Sequence, residues 1–242
     1  VVLRKMFTTA LELPKEEVAI EEKIHIPTDE VSIEGPRKAF IGYVMSSVVK
    51  NQVTKRRVYF PLDYLTRHGV LYGVTRSGKS MLSLILIREA LVNGIKVVLF
   101  DPHGSIANRL KPNDNLKVFR VSGEITDKLK EIYDTASAWN ETSKLRLLVV
   151  LDETKLLRAR NLVNCLNELG KRGVGFLLIT QYSTSLPPEA RNVGTYFILS
   201  SMTEVEMERF REVTLHPSSN LISRLPRATS FVFSPYFYPE PF

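Results

Sequence analysis

The stretch Gly73-Val74-Thr75-Arg76-Ser77-Gly78-Lys79-Ser80 fits the pattern G-x-x-x-x-G-K-[ST] without a mismatch, and nothing else in the chain limits the fold as tightly. Such a loop needs a strand before it and a helix after it. Upstream, His68-Gly69-Val70-Leu71-Tyr72 is a short apolar run suited to a buried strand. Downstream, Met81 to Val92 is a long run of helix formers that ends at Asn93-Gly94, a helix stop. The glycines let successive backbone N–H groups turn inward around phosphate oxygens, and the helix points its positive end at the same anion. Gly73, Val74, Thr75, Arg76, Ser77, Gly78, Lys79, Ser80 and Met81 are therefore the expected nucleotide-binding set. Lys79 reaches the β- and γ-phosphates of a triphosphate such as ATP, and the Ser80 hydroxyl holds Mg²⁺.

The rest of the chain alternates strand-like and helix-like runs. Lys96 to Asp101, Leu116 to Val121, Leu145 to Glu153, Gly175 to Gln181, Thr195 to Ser200 and Thr229 to Phe233 read as strands. Ile125 to Trp139, Thr154 to Leu169 and Thr203 to Val213 read as helices. Alternation of this kind predicts an α/β fold with a mainly parallel sheet and right-handed crossovers. Before it, Ala39 to Ser46 and Arg57 to Leu62 are rich in β-branched and aromatic residues, and the basic stretch Lys50 to Arg56 reads as the loop between two strands. Residues 1–62 are thus expected to form a small, mostly β appendage, and residues 63–242 the nucleotide domain.

At 242 residues the chain has room for one large domain with such an appendage. No apolar run approaches the ~18–20 residues that span a bilayer, and the first ten residues lack the apolar core of a secretory signal. A soluble, cytoplasmic protein is expected. The single cysteine, Cys165, excludes an internal disulfide and sits in a helical apolar pattern, as a small buried hydrophobe does. The net charge of +7 is uneven: residues 1–36 carry 4 Lys/Arg against 8 Asp/Glu, whereas residues 37–60 carry six basic residues and no acid. That balance is compatible with a polyanionic partner.

Hydrolysis also needs a metal anchor and an activated water. The apolar run Leu147 to Leu151 closes on Asp152-Glu153, two carboxylates at a strand end. Asp152 is the expected Mg²⁺ ligand opposite Ser80, and Glu153 the general base that orients the attacking water. In an open α/β sheet the strand C-termini converge on the ligand, which puts Asp101, His103, Thr180 and Gln181 on the same edge. Gln181 can hydrogen-bond the γ-phosphate and the lytic water as a sensor. The plainer reading of His103 is a hydrogen-bonding loop residue.

Five segments then share one pattern: His68 to Ser80, Asp101-Pro102-His103-Gly104, the strand ending Asp152-Glu153, Gly170-Lys171-Arg172-Gly173-Val174-Gly175 leading into Ile179-Thr180-Gln181, and Leu225-Pro226-Arg227. Over residues 60–233 the chain resembles the HerA/FtsK superfamily of ring-forming ATPases, HerA-like proteins in particular. The resemblance implies a RecA-like P-loop NTPase core, a homo-oligomeric hexameric ring, and ATP-driven movement of double-stranded DNA through its channel. It carries Lys79, Glu153 and Gln181 over as catalytic residues, with Ser80 and Asp152 for Mg²⁺. It further implies that Arg172, or its neighbour Lys171, reaches the next subunit's γ-phosphate, as a planar guanidinium suits phosphate oxygens. The competing reading makes both residues solvated cations after a helix end. Arg227 is a second candidate for a subunit contact.

The chain departs from the family pattern in three places. Ser105 follows DPHG where an acid is frequent, Arg76 stands in the loop where a small residue is usual, and the length leaves no room for a full N-terminal barrel and C-terminal extension. This compactness resembles viral genome-packaging or mobile-element members, with a nuclease, capsid or recombination protein as partner. Arg109, Lys111 and Arg191 are the DNA-contacting candidates, and Lys50, Lys55, Arg56 and Arg57 either line a channel mouth or form a solvated loop. The aromatic residues from Phe231 to Phe242 either stack on a base or pack as a last strand and tail. The alternative function is a nucleotide-dependent switch that acts on a protein partner without moving DNA. Glu153 argues against it, because a pure binder needs no base.

Overall fold

In the computed structural model the residues described are 32–47, 50–120, 125–152, 160–182, 186, 193–199, 225–226 and 229–234. The chain opens with a hairpin, β1 (Lys38–Ser47) and β2 (Gln52–Pro61). A 3-10 turn over Leu62–Arg67 leads into β3 (Gly69–Gly73) and helix α1 (Lys79–Val92). Then follow β4 (Lys96–Phe100), β5 (Leu116–Phe119), α2 (Ile125–Ala136), β6 (Leu147–Asp152), α3 (Arg160–Glu168), β7 (Val174–Thr180), β8 (Thr195–Leu199) and β9 (Ser230–Phe233).

Every expected strand of the α/β core forms, within one or two residues at its ends. Their order across the sheet is β5-β4-β6-β7-β3-β8-β9. The first six pair in parallel, and β9 runs antiparallel along β8 at the edge. The continuous apolar runs are explained by burial on both faces: β3, β7 and β8 are buried at every position. Alternate residues serve opposite layers. Val70, Val149, Phe176 and Leu178 pack toward α2 and α3 through Leu129, Leu162 and Leu166. Leu71, Val97, Leu99 and Leu177 pack toward α1 through Leu86, Ile87 and Ala90. A side chain of this kind contributes ~1.5–3 kcal/mol when fully buried, so two such layers hold the sheet edge that carries the site.

The hairpin departs from expectation. The stretch Lys50 to Arg56 is not a loop: the turn is at Lys50-Asn51, with Asn51 at φ 50°, and β2 already begins at Gln52. Its charged residues hide a strand because only every second side chain needs to be apolar where one face meets water. Lys55 and Arg57 are exposed, and half-buried Arg56 donates from Nε to Ser32 Oγ at 2.7 Å. At its base the hairpin joins the core: Ala39 and Phe60 belong to the α1-side layer, and the Phe60 and Phe197 rings meet edge to face at 5.2 Å. Arg37 adds a clamp, donating to both oxygens of Asp63 and, at 2.6 Å, to the carbonyl of Leu145, whose N–H returns a 2.7 Å bond to Asp63. Residues 1–31, the predicted helix from Thr203 to Val213, Arg227 and the aromatic tail from Tyr236 on lie outside the described residues. Cys165 is buried as expected, its thiol pushed up to about 12 by loss of water.

His68 locks the layer behind β7. Its Nε2 lies 2.7 Å from the Leu166 carbonyl, and its Nδ1 accepts from Phe176 N–H at 3.2 Å, so the ring is the neutral Nε2–H tautomer. Burial lowers its pKa to about 4, against a smaller opposing effect of the Leu166 carbonyl. Near pH 7 the ring is neutral in both states and the stabilisation is whole. As pH falls below about 6.5, only the unfolded chain takes up the proton, and about 3 kcal/mol is lost by pH 4. Urea unfolding at pH 7 and pH 4.5 is expected to show this loss. His68→Gln, which retains a donor and an acceptor, should flatten it; an unchanged pH slope would count against the assignment.

Candidate functional site

Between β3 and α1 the chain makes a tight loop. Ser77 N–H donates to Val74 O at 3.2 Å, and Gly78 caps α1 at φ 110°, a conformation that only glycine adopts freely. Among the described residues, none accepts a hydrogen bond from the amides of Thr75, Arg76, Gly78, Lys79 and Ser80. Ser77 Oγ is buried and likewise without a partner among them. Leaving a buried hydroxyl unpaired costs about 1–3 kcal/mol, so the loop carries donors that lack an acceptor among the described residues. Gly73 permits it: a Cβ there would lie 2.5 Å from both Ser77 Oγ and Leu199 O. Arg76 is exposed and sits at φ 65°, which costs a residue with a side chain roughly 1–2 kcal/mol.

Lys79 folds back over the loop, its Nζ donating to Gly73 O at 2.6 Å and Val74 O at 2.8 Å. Burial holds its pKa below the ordinary lysine value, against a smaller opposing effect of the Asp152 carboxylate. Strand order explains how Asp152 comes within electrostatic reach. It closes β6, opposite Ile179 of β7, and β7 in turn lies beside β3 with Tyr72 opposite Thr180. Gln181, the residue that follows β7, therefore emerges between the loop and Asp152, and Thr75 Oγ1 donates to its Oε1 at 3.1 Å. Lys79, Asp152 and Gln181 are thus brought together at one sheet edge. Glu153 lies outside the described residues, as does Arg191.

The Asp101-Pro102-His103-Gly104 turn has a structural use that its sequence did not reveal. Asp101 is fully buried, and its carboxylate accepts from Ser105 N at 3.0 Å and from Ile106 N and Ala107 N at 2.8 Å each. It is a turn former, and only exposed His103 faces the solvent. Ser105 Oγ then donates to Asp152 Oδ2 at 2.7 Å, a contact that no spacing rule would have found.

Two predicted site residues lie elsewhere. Arg172 belongs to the 3-10 turn Gly170–Arg172 that enters β7, so it sits at the N-terminal edge of the sheet, opposite the loop. It is half-buried and donates from Nη1 to Trp139 O, while Lys171 is exposed, 4.0 Å from Glu141 Oε1. Gly173, at φ 81°, turns the chain into β7 there. Near them an open groove of about 810 Å³ is lined by Arg67, His68, Glu141, Asn167 and Lys171 among others. Arg109 and Lys111 are exposed in the segment after β4, with the Arg109 carbonyl accepting from Arg88 Nη2 of α1 at 2.9 Å.

The donors suit a triphosphate. The loop offers amides without an acceptor among the described residues, an orphan hydroxyl and a lysine, and Asp152 and Ser80 have oxygens that suit a divalent cation. Among the described residues no three His, Cys, Asp or Glu side chains cluster.

The family described as "Helicase HerA, central domain" matches residues 40–164. No curated protein matches. Among solved structures, the pCW3 conjugation coupling protein TcpA, in its monomer form with ATPγS, is similar with a TM-score of 0.59 at 16% identity over 90% of this chain and 71% of that one. The genome packaging NTPase B204 from Sulfolobus turreted icosahedral virus 2, in complex with AMP, gives 0.55 at 13% identity over 69% of this chain and 92% of that one. The cytoplasmic domain of the type VII secretion ATPase EccC from Thermomonospora curvata gives 0.56 at 14% identity over 73% and 23%. At such identities these likenesses show the fold, a mainly parallel P-loop ATPase sheet with a small antiparallel hairpin before it.

Proposed function

The chain belongs to the family of the helicase HerA central domain, and from that premise we propose that it hydrolyses ATP to move double-stranded DNA through a hexameric ring of its own copies. One observation carries the reading: the strand order brings Asp152 and Gln181 out at the sheet edge that carries the loop, and Gln181 is bonded to Thr75 of that loop. A phosphate binder needs only the loop, whereas a hydrolase needs these further groups around it.

In this reading the loop amides, Ser77 and Lys79 receive the triphosphate, and Lys79 exchanges its two carbonyl partners for phosphate oxygens. Ser80 and Asp152 hold Mg²⁺, which when bound neutralises charge on the β- and γ-phosphates. Glu153 takes the proton of the attacking water. Gln181 contacts the γ-phosphate and passes its loss to the loop through Thr75. Arg172 serves the neighbouring subunit, a use suited to its place on the opposite edge. Residues 1–62 form an appendage on the motor core of residues 63–242. Arg109, Lys111 and Arg191 contact the DNA backbone without reading sequence.

The setting we propose is the cytoplasm, in genome packaging, DNA transfer or end processing, with a nuclease, capsid or recombination protein delivering the substrate. Among the described residues no helix is long and apolar enough to cross a membrane. Backbone contacts release counterions, so duplex affinity should fall linearly on a log–log salt plot, with a slope of about −0.9 per phosphate neutralised. Affinity indifferent to salt would remove the proposed DNA contacts.

A further inference from the structure

We propose that Ser105 is a positioning residue for Asp152: its hydroxyl bonds the carboxylate and fixes its orientation where the divalent cation of a bound nucleotide would be held. The proposal rests on the reading of Asp152 as a ligand of that cation.

The geometry is a bracket built on a strand end. β4 and β6 are neighbours, with Phe100 opposite Leu151, so the residues that follow, Asp101 and Asp152, leave the sheet side by side. Asp101 does not face the ligand. Fully buried, it gathers the amides of Ser105, Ile106 and Ala107 onto its two oxygens. Gly104 at φ 67°, its N–H on Asp101 O at 3.2 Å, folds the turn back over that carboxylate. The Ser105 backbone is thereby fixed from below, and its Oγ stands 2.7 Å from Asp152 Oδ2.

The chemistry suits a ligand that must stay charged. An aspartate at a half-exposed strand end has freedom about both side-chain torsions, and ordering it on binding costs free energy. A carboxylate has about four lone-pair sites, so a bond to a hydroxyl does not by itself use up its capacity to coordinate. A neutral donor orients the group without cancelling its charge, as a lysine or arginine there would. Partners of this kind behind a metal ligand are typically worth about 10–100-fold in metal affinity.

The test is Mn²⁺ binding, followed by electron paramagnetic resonance of free Mn²⁺, to the full chain saturated with ATPγS. Four proteins are compared: the natural sequence, Ser105→Ala, Ser105→Thr and Asp152→Asn. We expect Ser105→Ala to weaken Mn²⁺ binding about tenfold while ATPγS affinity in EDTA and the melting temperature in EDTA stay unchanged. Ser105→Thr, which keeps the hydroxyl, should restore it, and Asp152→Asn should weaken it at least as much as Ser105→Ala. If Asp152→Asn weakens binding and Ser105→Ala does not, the positioning role is overturned and the ligand assignment stands. If Asp152→Asn binds Mn²⁺ as the natural sequence does, the ligand assignment fails and takes the positioning role with it. Failure of Ser105→Thr to rescue would also overturn it, because the hydroxyl would then not be what matters.

Discussion

Lys79→Ala is expected to lower ATP turnover by about 10²–10³-fold and to weaken ATP binding as well. The ammonium is a charged donor folded back over the loop: it spans Gly73 O and Val74 O at 2.6 and 2.8 Å. Removing one preorganised donor aimed at charge that develops in the transition state costs about 2.7–4 kcal/mol, which is that fold-change. The ground state suffers too, since the same cation meets the β- and γ-phosphates before any bond breaks. Steady-state turnover and a direct ATP-binding isotherm separate the two losses. Unchanged turnover would mean that the triphosphate does not sit over this loop.

Glu153→Gln should behave differently. A glutamine fills the same space but cannot take the proton from water, so hydrolysis should fall by about 10²–10⁴-fold while ATP stays bound. The protein would become a trap: binding near that of the natural sequence, with single-turnover phosphate release nearly abolished. The contrast with Lys79→Ala is the informative part, because only one of the two substitutions should loosen ATP. Intact turnover in Glu153→Gln would place the base elsewhere and favour a nucleotide-dependent switch.

Much of this arrangement was legible in the residues because buried parallel strands leave no room for polar interruptions. The run Leu147 to Leu151 is apolar throughout since both its faces are covered, and half-buried Asp152 marks where the strand meets water. The same logic fails for β2, whose outer face is solvated and whose Lys55, Arg56 and Arg57 looked like a loop. Strand order is a matter of long-range pairing that local pattern does not encode. That β7 inserts between β3 and β6, and so delivers Gln181 to Thr75, came only from the fold. Asp101 was misleading for a related reason. Its place at a strand end resembles that of Asp152, but the turn after it curls back to supply three amides, whereas Asp152 receives a hydroxyl from that turn. Arg172 stands at the far edge of the sheet from its own chain's loop, a placement that depends on strand direction and not on local pattern.

The central claim is that ATP cleavage at this loop drives movement along duplex DNA. Phosphate release from ATP, measured with Mg²⁺ at low salt with and without blunt duplex DNA, tests it most directly. The account predicts turnover that rises on adding duplex, fades as salt displaces the DNA, and disappears in Glu153→Gln. A rate identical with and without duplex at low salt would contradict it.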